Sequence, residues 1–392
     1  MTPSEMLAVY RAELLENVVP FWQRHGIDSE YGGYFTCLDR RGEVYSTDKY
    51  MWLQGRAVWM FARLHRTVDA SRGWLDLAAQ GADFIRRHGR EPGGRVAFAL
   101  TRDGRPMHVQ RKIYSEVFYV MAMAEMAAAT GQEAYLDEAR ATFWQTWELW
   151  NHPERLGRPI LSGTPRGTTL ADPMVFLGMI EDLAPLGDDS RYGEVIERML
   201  AIIARHIRPD RRLVLENVGL DGEALDGPAG RLLSPGHAIE LAWFLIHLAR
   251  RTGRDDLIAT AMDVMDFSFD RGWDPQYGGL FYFLDAEGRP PTHLEWSMKL
   301  WWPMTEALYA TLLAWTLTGD QRHLRRHDLV RQWSWDHLRD AEHGEWYGYL
   351  DRRGEPTNEL KGGPWKGFFH LPRALLYCVD LLAARDAAPS GT

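Results

Sequence analysis

A phrase that returns along the chain constrains the fold more than any other feature. It reads SEYGGYFTCLDRRGEV from Ser29, PQYGGLFYFLDAEGRP from Pro275 and EHGEWYGYLDRRGEP from Glu342. Looser copies are PGGRVAFALTRDGRP from Pro92 and RRLVLENVGLDGEAL from Arg211, and a degenerate one lies near GRPILSG from Gly157. Each copy has a Gly-rich entry, a short alternating aromatic or β-branched run, and an Asp-x-x-Gly or Asp-Gly turn. Alternation suits a half-buried strand, and Gly supplies the positive φ of a hairpin turn. Copies spaced on the order of 60 residues apart mark repeated supersecondary units.

Between the copies the apolar period becomes helical. It predicts helices near 4–25, 50–69, 73–89, 112–130, 132–151, 170–185, 189–207, 235–252, 255–271, 293–318, 320–339 and 366–385. Gly131, Gly253 and Gly319 follow periodic runs as C-caps, while Ser4, Asp189 and Ser234 stand at or just before helix starts. Six helix pairs, each enclosing a hairpin, predict an all-α fold: an (α/α)6 barrel with short β-hairpins at one end. An open superhelical solenoid is the alternative. Residues 50–62, 112–128, 235–248 and 293–318 are apolar nearly all round, as an inner wall requires, whereas 189–207 and 320–339 are rich in Arg and acidic residues. The order is therefore outer helix, hairpin, inner helix. Every hairpin then lies where inner helices begin, and a site should gather there. One barrel is expected over 1–386, with a loose tail at 387–392.

Composition removes several classes of function. A net charge of −9 argues against nucleic acid or an anionic membrane as partner. The first 25 residues carry Glu5, Glu13 and Glu16 and read as a helix rather than a signal peptide. The apolar stretch Leu300–Leu317 holds Pro303 and Glu306, so it reads as a buried helix. Two cysteines, Cys37 and Cys378, build no disulfide framework, and a cytoplasmic setting is expected. There is no HExxH, Cys-x-x-Cys, GxGxxG after a strand, Walker loop or GxSxG elbow. No metal is therefore expected. GGPWKG at Gly362 is only a weak anion signal. Only five of the 45 basic residues are lysines, and Lys49, Lys112, Lys299, Lys361 and Lys366 each lie beside a segment that stands out for other reasons.

Several polar residues fall where the barrel puts a site. Arg56 lies in YMWLQGR, Glu116 in KIYSE, His237 in SPGHAIE, Glu306 in KLWWPMTE and His370 in KGGPWKGFFHLPR. A buried His can equally be a core residue, and either Glu facing Arg56 can equally be a structural ion pair. Trp52, Trp59, Trp296, Trp301, Trp302 and Trp365 read chiefly as barrel core, with one or two able to stack on a sugar ring. Two histidines, one or two carboxylates and an Arg suit proton transfer, with two bases on opposite faces of a substrate and a cation for the developing oxyanion. They suit glycoside hydrolysis less, because that needs two carboxylates with one free to act as acid.

At these segments the chain resembles the N-acyl-D-glucosamine 2-epimerase family, whose animal members are also called renin-binding proteins. GGYFTCLDRRGEVY, DKYMWLQGRAVWM, YSEVFYVMAM, LENV, SPGHAIELAWFL, LEWSMKLWWPMTEAL and KGGPWKGFFHLPR carry the resemblance, which runs from about residue 30 to about 375. It implies an (α/α)6 barrel and interconversion of N-acetylglucosamine and N-acetylmannosamine. It also implies Arg56, His237, Glu306 and His370 as essential residues, no cofactor for the chemistry, ATP as an activator that is not consumed, and a homodimer. Tyr50, Trp52, Glu116, Trp302 and Lys366 are the candidate substrate contacts. Relatives acting on free sugars carry an extra His on the sixth helix, where ADPMVFLGM here offers Met174. That departure favours the N-acyl branch over an isomerase or 2-epimerase of mannose, fructose or glucose. A non-catalytic sugar-binding scaffold is the reading from another class.

Overall fold

The helix boundaries follow local chemistry in a computed structural model, which describes residues 1–387 apart from 158–160, 165 and 188. The chain opens with α1 (Pro3–Ala12), which passes through a π-helical stretch (Glu13–Val18) into α2 (Val19–His25). It continues with α3 (Met51–Thr67), α4 (Trp74–His88), α5 (Tyr114–Thr130), α6 (Glu133–Asn151), α7 (Ala171–Leu183) and α8 (Arg191–His206). A single turn, α9 (Gly227–Gly230), precedes α10 (Pro235–Thr252), α11 (Asp255–Gly272), α12 (Trp301–Thr318), α13 (Gln321–His337) and α14 (His370–Ala387). Gly131, Gly253 and Gly319 end α5, α10 and α12 at φ near 70°, a left-handed conformation that a side chain would strain. At the first helix the cap is Thr2, in a box with Glu5, and Ser4 lies inside the helix.

The six inner helices are α3, α5, α7, α10, α12 and α14. Consecutive members of that series touch, and Phe61 against Phe368 (ring centroids 4.7 Å) and Trp59 against Phe369 (5.3 Å), from the segment leading directly into α14, join the last to the first. Outer helices α4, α6, α8, α11 and α13 each cover the inner helix beside them, and α1 covers α14. The ring is thus closed, an (α/α)6 barrel rather than an open solenoid. Burial agrees with the composition of each helix. Every residue from Trp301 to Trp315 of α12 is buried, whereas α8 buries the single stripe Tyr192, Val195, Met199, Ile202, Ile203 and His206. No helix among the described residues is long and apolar enough to cross a membrane.

The short strands do more than close local hairpins. The strand leading into an inner helix pairs with the hairpin of the following repeat: Lys49–Tyr50 with Ala99–Leu100, Gly167–Thr169 with Asn217–Gly219, Leu232–Leu233 with Leu284–Asp285, and Lys299–Leu300 with Tyr349–Leu350. Two predicted helices therefore start late. Residues 293–298 are turns hydrogen-bonded to Tyr282 and Phe283, so α12 begins at Trp301, and α14 begins at His370 rather than 366. Part of the degenerate copy near Gly157 and the tail from 388 lie outside the described residues.

Buried ion clusters knit the same end of the barrel. Asp28 holds Lys49 (2.9 Å) and Arg102 (3.0 Å), and Asp274 holds Lys299 (3.2 Å) and Arg352 (2.8 Å). Asp340 likewise holds Lys361 (2.9 Å) and Arg40 (2.9 Å). In each, the Asp lies two or three residues beyond an outer helix, and the Arg is the second residue of the Gly-ended turn (Asp39–Gly42, Thr101–Gly104 or Asp351–Gly354) in the next hairpin around the ring. The Arg40–Asp340 pair and the Lys361 and Gly362 amides on the Leu38 carbonyl close that circle between the two ends of the chain. Lys366 also lies buried, 2.7 Å from Glu345. Four of the five lysines are therefore structural cations.

Candidate active site

The inner helices begin around a cavity of about 660 Å³ at the hairpin end. Their first turns place His237 and Glu240 on α10, His370 and Arg373 on α14, Arg56 on α3, and Trp301 and Trp302 on α12 against it. The pairs His237/Glu240 and His370/Arg373 are each three residues apart, so each shares one face of its helix.

Both imidazoles are held at Nδ1 and leave Nε2 without a protein partner among the described residues. His237 Nδ1 donates to Glu216 (3.0 Å to Oε2), which Thr169 also contacts at 2.9 Å. His370 Nδ1 donates to Glu306 Oε1 at 2.7 Å. Glu306 is itself buried beneath the cavity and accepts from Trp243 Nε1 (2.9 Å) and Arg373 (2.7 Å). A carboxylate behind Nδ1 fixes the tautomer and leaves the Nε2 lone pair for a substrate. Trp302 lies between the two rings, with centroids 5.1 Å from His237 and 5.9 Å from His370.

The surroundings make the two rings unlike. Burial disfavours charge on His237, but the Glu216 carboxylate outweighs it and raises the pKa. His370 is pushed well below its ordinary value by burial, and Arg56 and Arg373 add to the shift. The surroundings thus bias a proton toward His237 rather than His370, the kind of separation that acid–base pairs require.

Arg56 makes no ion pair among the described residues, and its buried Nε has no hydrogen-bond partner. Its guanidinium lies 3.9 Å over the Phe118 ring, and burial, with Arg373 nearby, lowers its pKa to about 9. A desolvated cation without its own anion is suited to one formed during reaction. Arg373, by contrast, is already paired: its Nη2 spans Glu240 (2.8 Å) and Glu306 (2.7 Å). Glu240, Glu306 and His370 bring ligand-capable atoms within 4.8 Å of one another, but this guanidinium already bridges their two carboxylates.

Comparison with known proteins places the chain in a family and a fold. The pattern of the N-acylglucosamine 2-epimerase (GlcNAc 2-epimerase) family matches residues 33–374. The chain belongs to that family. It is 44% identical to the N-acylglucosamine 2-epimerase of Homo sapiens over 385 residues, covering 96% of this chain and 90% of the human one. It is 45% identical to the Bos taurus protein of the same name over 381 residues, covering 95% and 90%. A cellobiose 2-epimerase from Bacillus thermoamylovorans B4167 superposes with a TM-score of 0.83 at 20% identity, covering 96% of this chain and 99% of that one. Family members are isomerases, and this chain is an isomerase of that group.

Of the residues singled out in the sequence, His237, His370, Arg56, Trp52 and Trp302 line the cavity, and Glu306 supports His370 from behind. Three proposed contacts do not reach it. Glu116, in the first turn of α5, is buried against Arg95 (3.0 Å), and burial raises its pKa. Lys366 is consumed by Glu345. Tyr50 precedes α3 and packs on Phe98 (5.6 Å). The first glycine of GGPWKG has a packing explanation, because the turn lies on the first hairpin, where a Gly362 Cβ would meet the Thr36 carbonyl at 2.1 Å. Glu216, Glu240 and Arg373 went unread in the sequence. The three-residue spacing to each histidine was a signal for the last two, whereas Glu216 lies 21 residues from His237 and only the fold unites them.

Proposed function

We propose that this isomerase interconverts N-acetylglucosamine and N-acetylmannosamine by moving a proton at C2 of the open-chain sugar. The observation that carries the reading is the pair of imidazoles flanking Trp302, each backed by its own carboxylate and each with Nε2 free. The C1 aldehyde acidifies the C2–H bond by delocalising charge onto O1. Neutral His370 takes that proton from one face, Arg56 holds the oxyanion of the enolate, and protonated His237 delivers a proton to the other face. The return direction uses the same single proton on the other ring. Two-sided access inverts C2, and an acylated nitrogen there leaves no ordinary ketose as product. The names of the relatives from Homo sapiens and Bos taurus support the N-acyl substrate, and Met174 in place of a histidine on α7 agrees.

Proton NMR of N-acetylmannosamine with the protein in D2O tests the reading. N-acetylglucosamine carrying deuterium at C2 is the expected product. No conversion, with turnover of mannose to fructose or glucose instead, would move the chain to the free-sugar branch. The same assay with and without ATP reads the activation that the family resemblance implies, and sedimentation reads the homodimer.

A further inference from the structure

Gly178 sits in the middle of α7, where glycine is less favourable than alanine. At the inner-helix glycines Gly55 and Gly236 packing explains the choice: a Cβ on Gly55 would meet the Phe118 carbonyl oxygen at 2.4 Å, and one on Gly236 would meet the Trp302 ring at 2.6 Å. Gly178 is different. A Cβ there would meet only the edge of Phe244, at 3.5 and 3.8 Å, which is ordinary contact. The remaining space beside Gly178 belongs to the cavity.

That space has a definite character. Along α7 the cavity is lined by Met174, Val175 and Gly178, and neighbouring helices add Met121 and Phe244. Met121 lies two turns beyond Tyr114 on α5, Phe244 two turns beyond His237 on α10, and Gly178 two turns into α7, with Met174 and Val175 one turn above it. The opposite wall is ionic, formed by Arg56, Arg373 and His370. The mouth carries Lys112, Glu295 and Tyr349, which suit the hydroxyl-bearing end of an open-chain sugar. An apolar floor below the histidines has no hydroxyl to serve, but a C2 substituent starts at the carbon that the histidines attack.

We propose that this floor seats the acyl group carried on the C2 nitrogen, and that Gly178 sets the length of acyl chain accepted. The inference rests on the epimerase reading of the same site. One methylene in an apolar pocket is worth about 10–200-fold in kcat/KM. The test compares N-acetyl-, N-propanoyl- and N-butanoylmannosamine with the parent, Gly178→Ala and Met174→Ala, with a thermal melt of each protein. Gly178→Ala is expected to melt no lower than the parent. It should lose about tenfold on the N-acetyl substrate and at least about 100-fold on the N-propanoyl one. Met174→Ala should shift preference the other way, raising the propanoyl-to-acetyl ratio at least about fivefold. Equal losses across chain lengths in Gly178→Ala, or an unchanged ratio in Met174→Ala, would overturn the assignment while leaving the epimerase reading intact. A parent inactive on every N-acyl sugar but active on mannose would overturn both.

Discussion

His237 and His370 are the same side chain in two electrostatic settings, and that difference has kinetic consequences. One proton shared between the rings is the active state in either direction, because each direction only exchanges which ring holds it. Activity should therefore fall in acid as His370 gains a proton, below its ordinary range, and fall in base as His237 loses one, above its ordinary range. Glu216→Gln removes the anion that raises His237, so the basic limb of kcat/KM should move to lower pH while the acidic limb stays. A pH–rate profile checks this, and a uniform loss of rate with unmoved limbs would assign Glu216 a merely structural part. His237→Ala and His370→Ala should each lower kcat by about 10²–10⁴-fold or more with an unchanged circular dichroism spectrum. Appreciable turnover in both would sink the two-base scheme. At this scale the sequence was readable where a residue's helix position announced it, as with His237 and His370 at inner helix starts. It was not readable for Glu216, whose role depends on a strand from another part of the repeat.

The hairpin-to-helix clasps are the recurring element, and their titration has a calculable sign. Salt bridges and hydrogen bonds from Arg and Lys overcome burial to hold Asp28 and Asp274 at about 2, below the usual 3.8, and Asp340 is lowered in the same way. A carboxylate whose folded pKa is depressed contributes stability that is complete above its unfolded pKa and is lost as pH falls through the folded one. Stability should therefore decline together at all three clasps between about pH 4 and pH 2. Chemical denaturation across that range, compared with Asp28→Asn, checks it; the variant's deficit at neutral pH should shrink toward pH 2. Asp340→Ala should be destabilised by about 3–5 kcal/mol at neutral pH, because it leaves Lys361 buried without its anion. A denaturation midpoint within error of the parent would show that Arg40 and Lys361 find other partners. The scarcity and placement of the lysines were visible in the sequence. Their meaning was not, since a lysine beside a motif, Lys366 included, reads as readily as a ligand contact. What decides it is the Asp or Glu brought from a distant turn to lie 2.7–3.2 Å away.

For the whole molecule the important fact is that the first outer segment covers the last inner helix. The repeats and their glycine caps made six helix pairs legible, because periodicity and left-handed termini are local properties. Closure was not local: nothing near Met6 or Phe21 in the sequence names α14 as its partner. The contact nonetheless supports the site, since α14 carries His370 and Arg373. Residues 1–25 contribute Met6, Tyr10, Leu14, Val18, Val19, Phe21 and Trp22 to the core. At about 1.5–3 kcal/mol for each large apolar side chain, their loss approaches or exceeds the whole stability of a typical domain, about 5–15 kcal/mol. Removing residues 1–25 takes away no group that touches the cavity, yet it should abolish both the cooperative thermal transition and turnover. Near-UV circular dichroism and the D2O exchange assay on the truncated chain check this. A truncated protein that keeps a sharp melt but loses activity would mean that the ring closes without its first segment, and that α1 and α2 serve only to hold His370 and Arg373 in register.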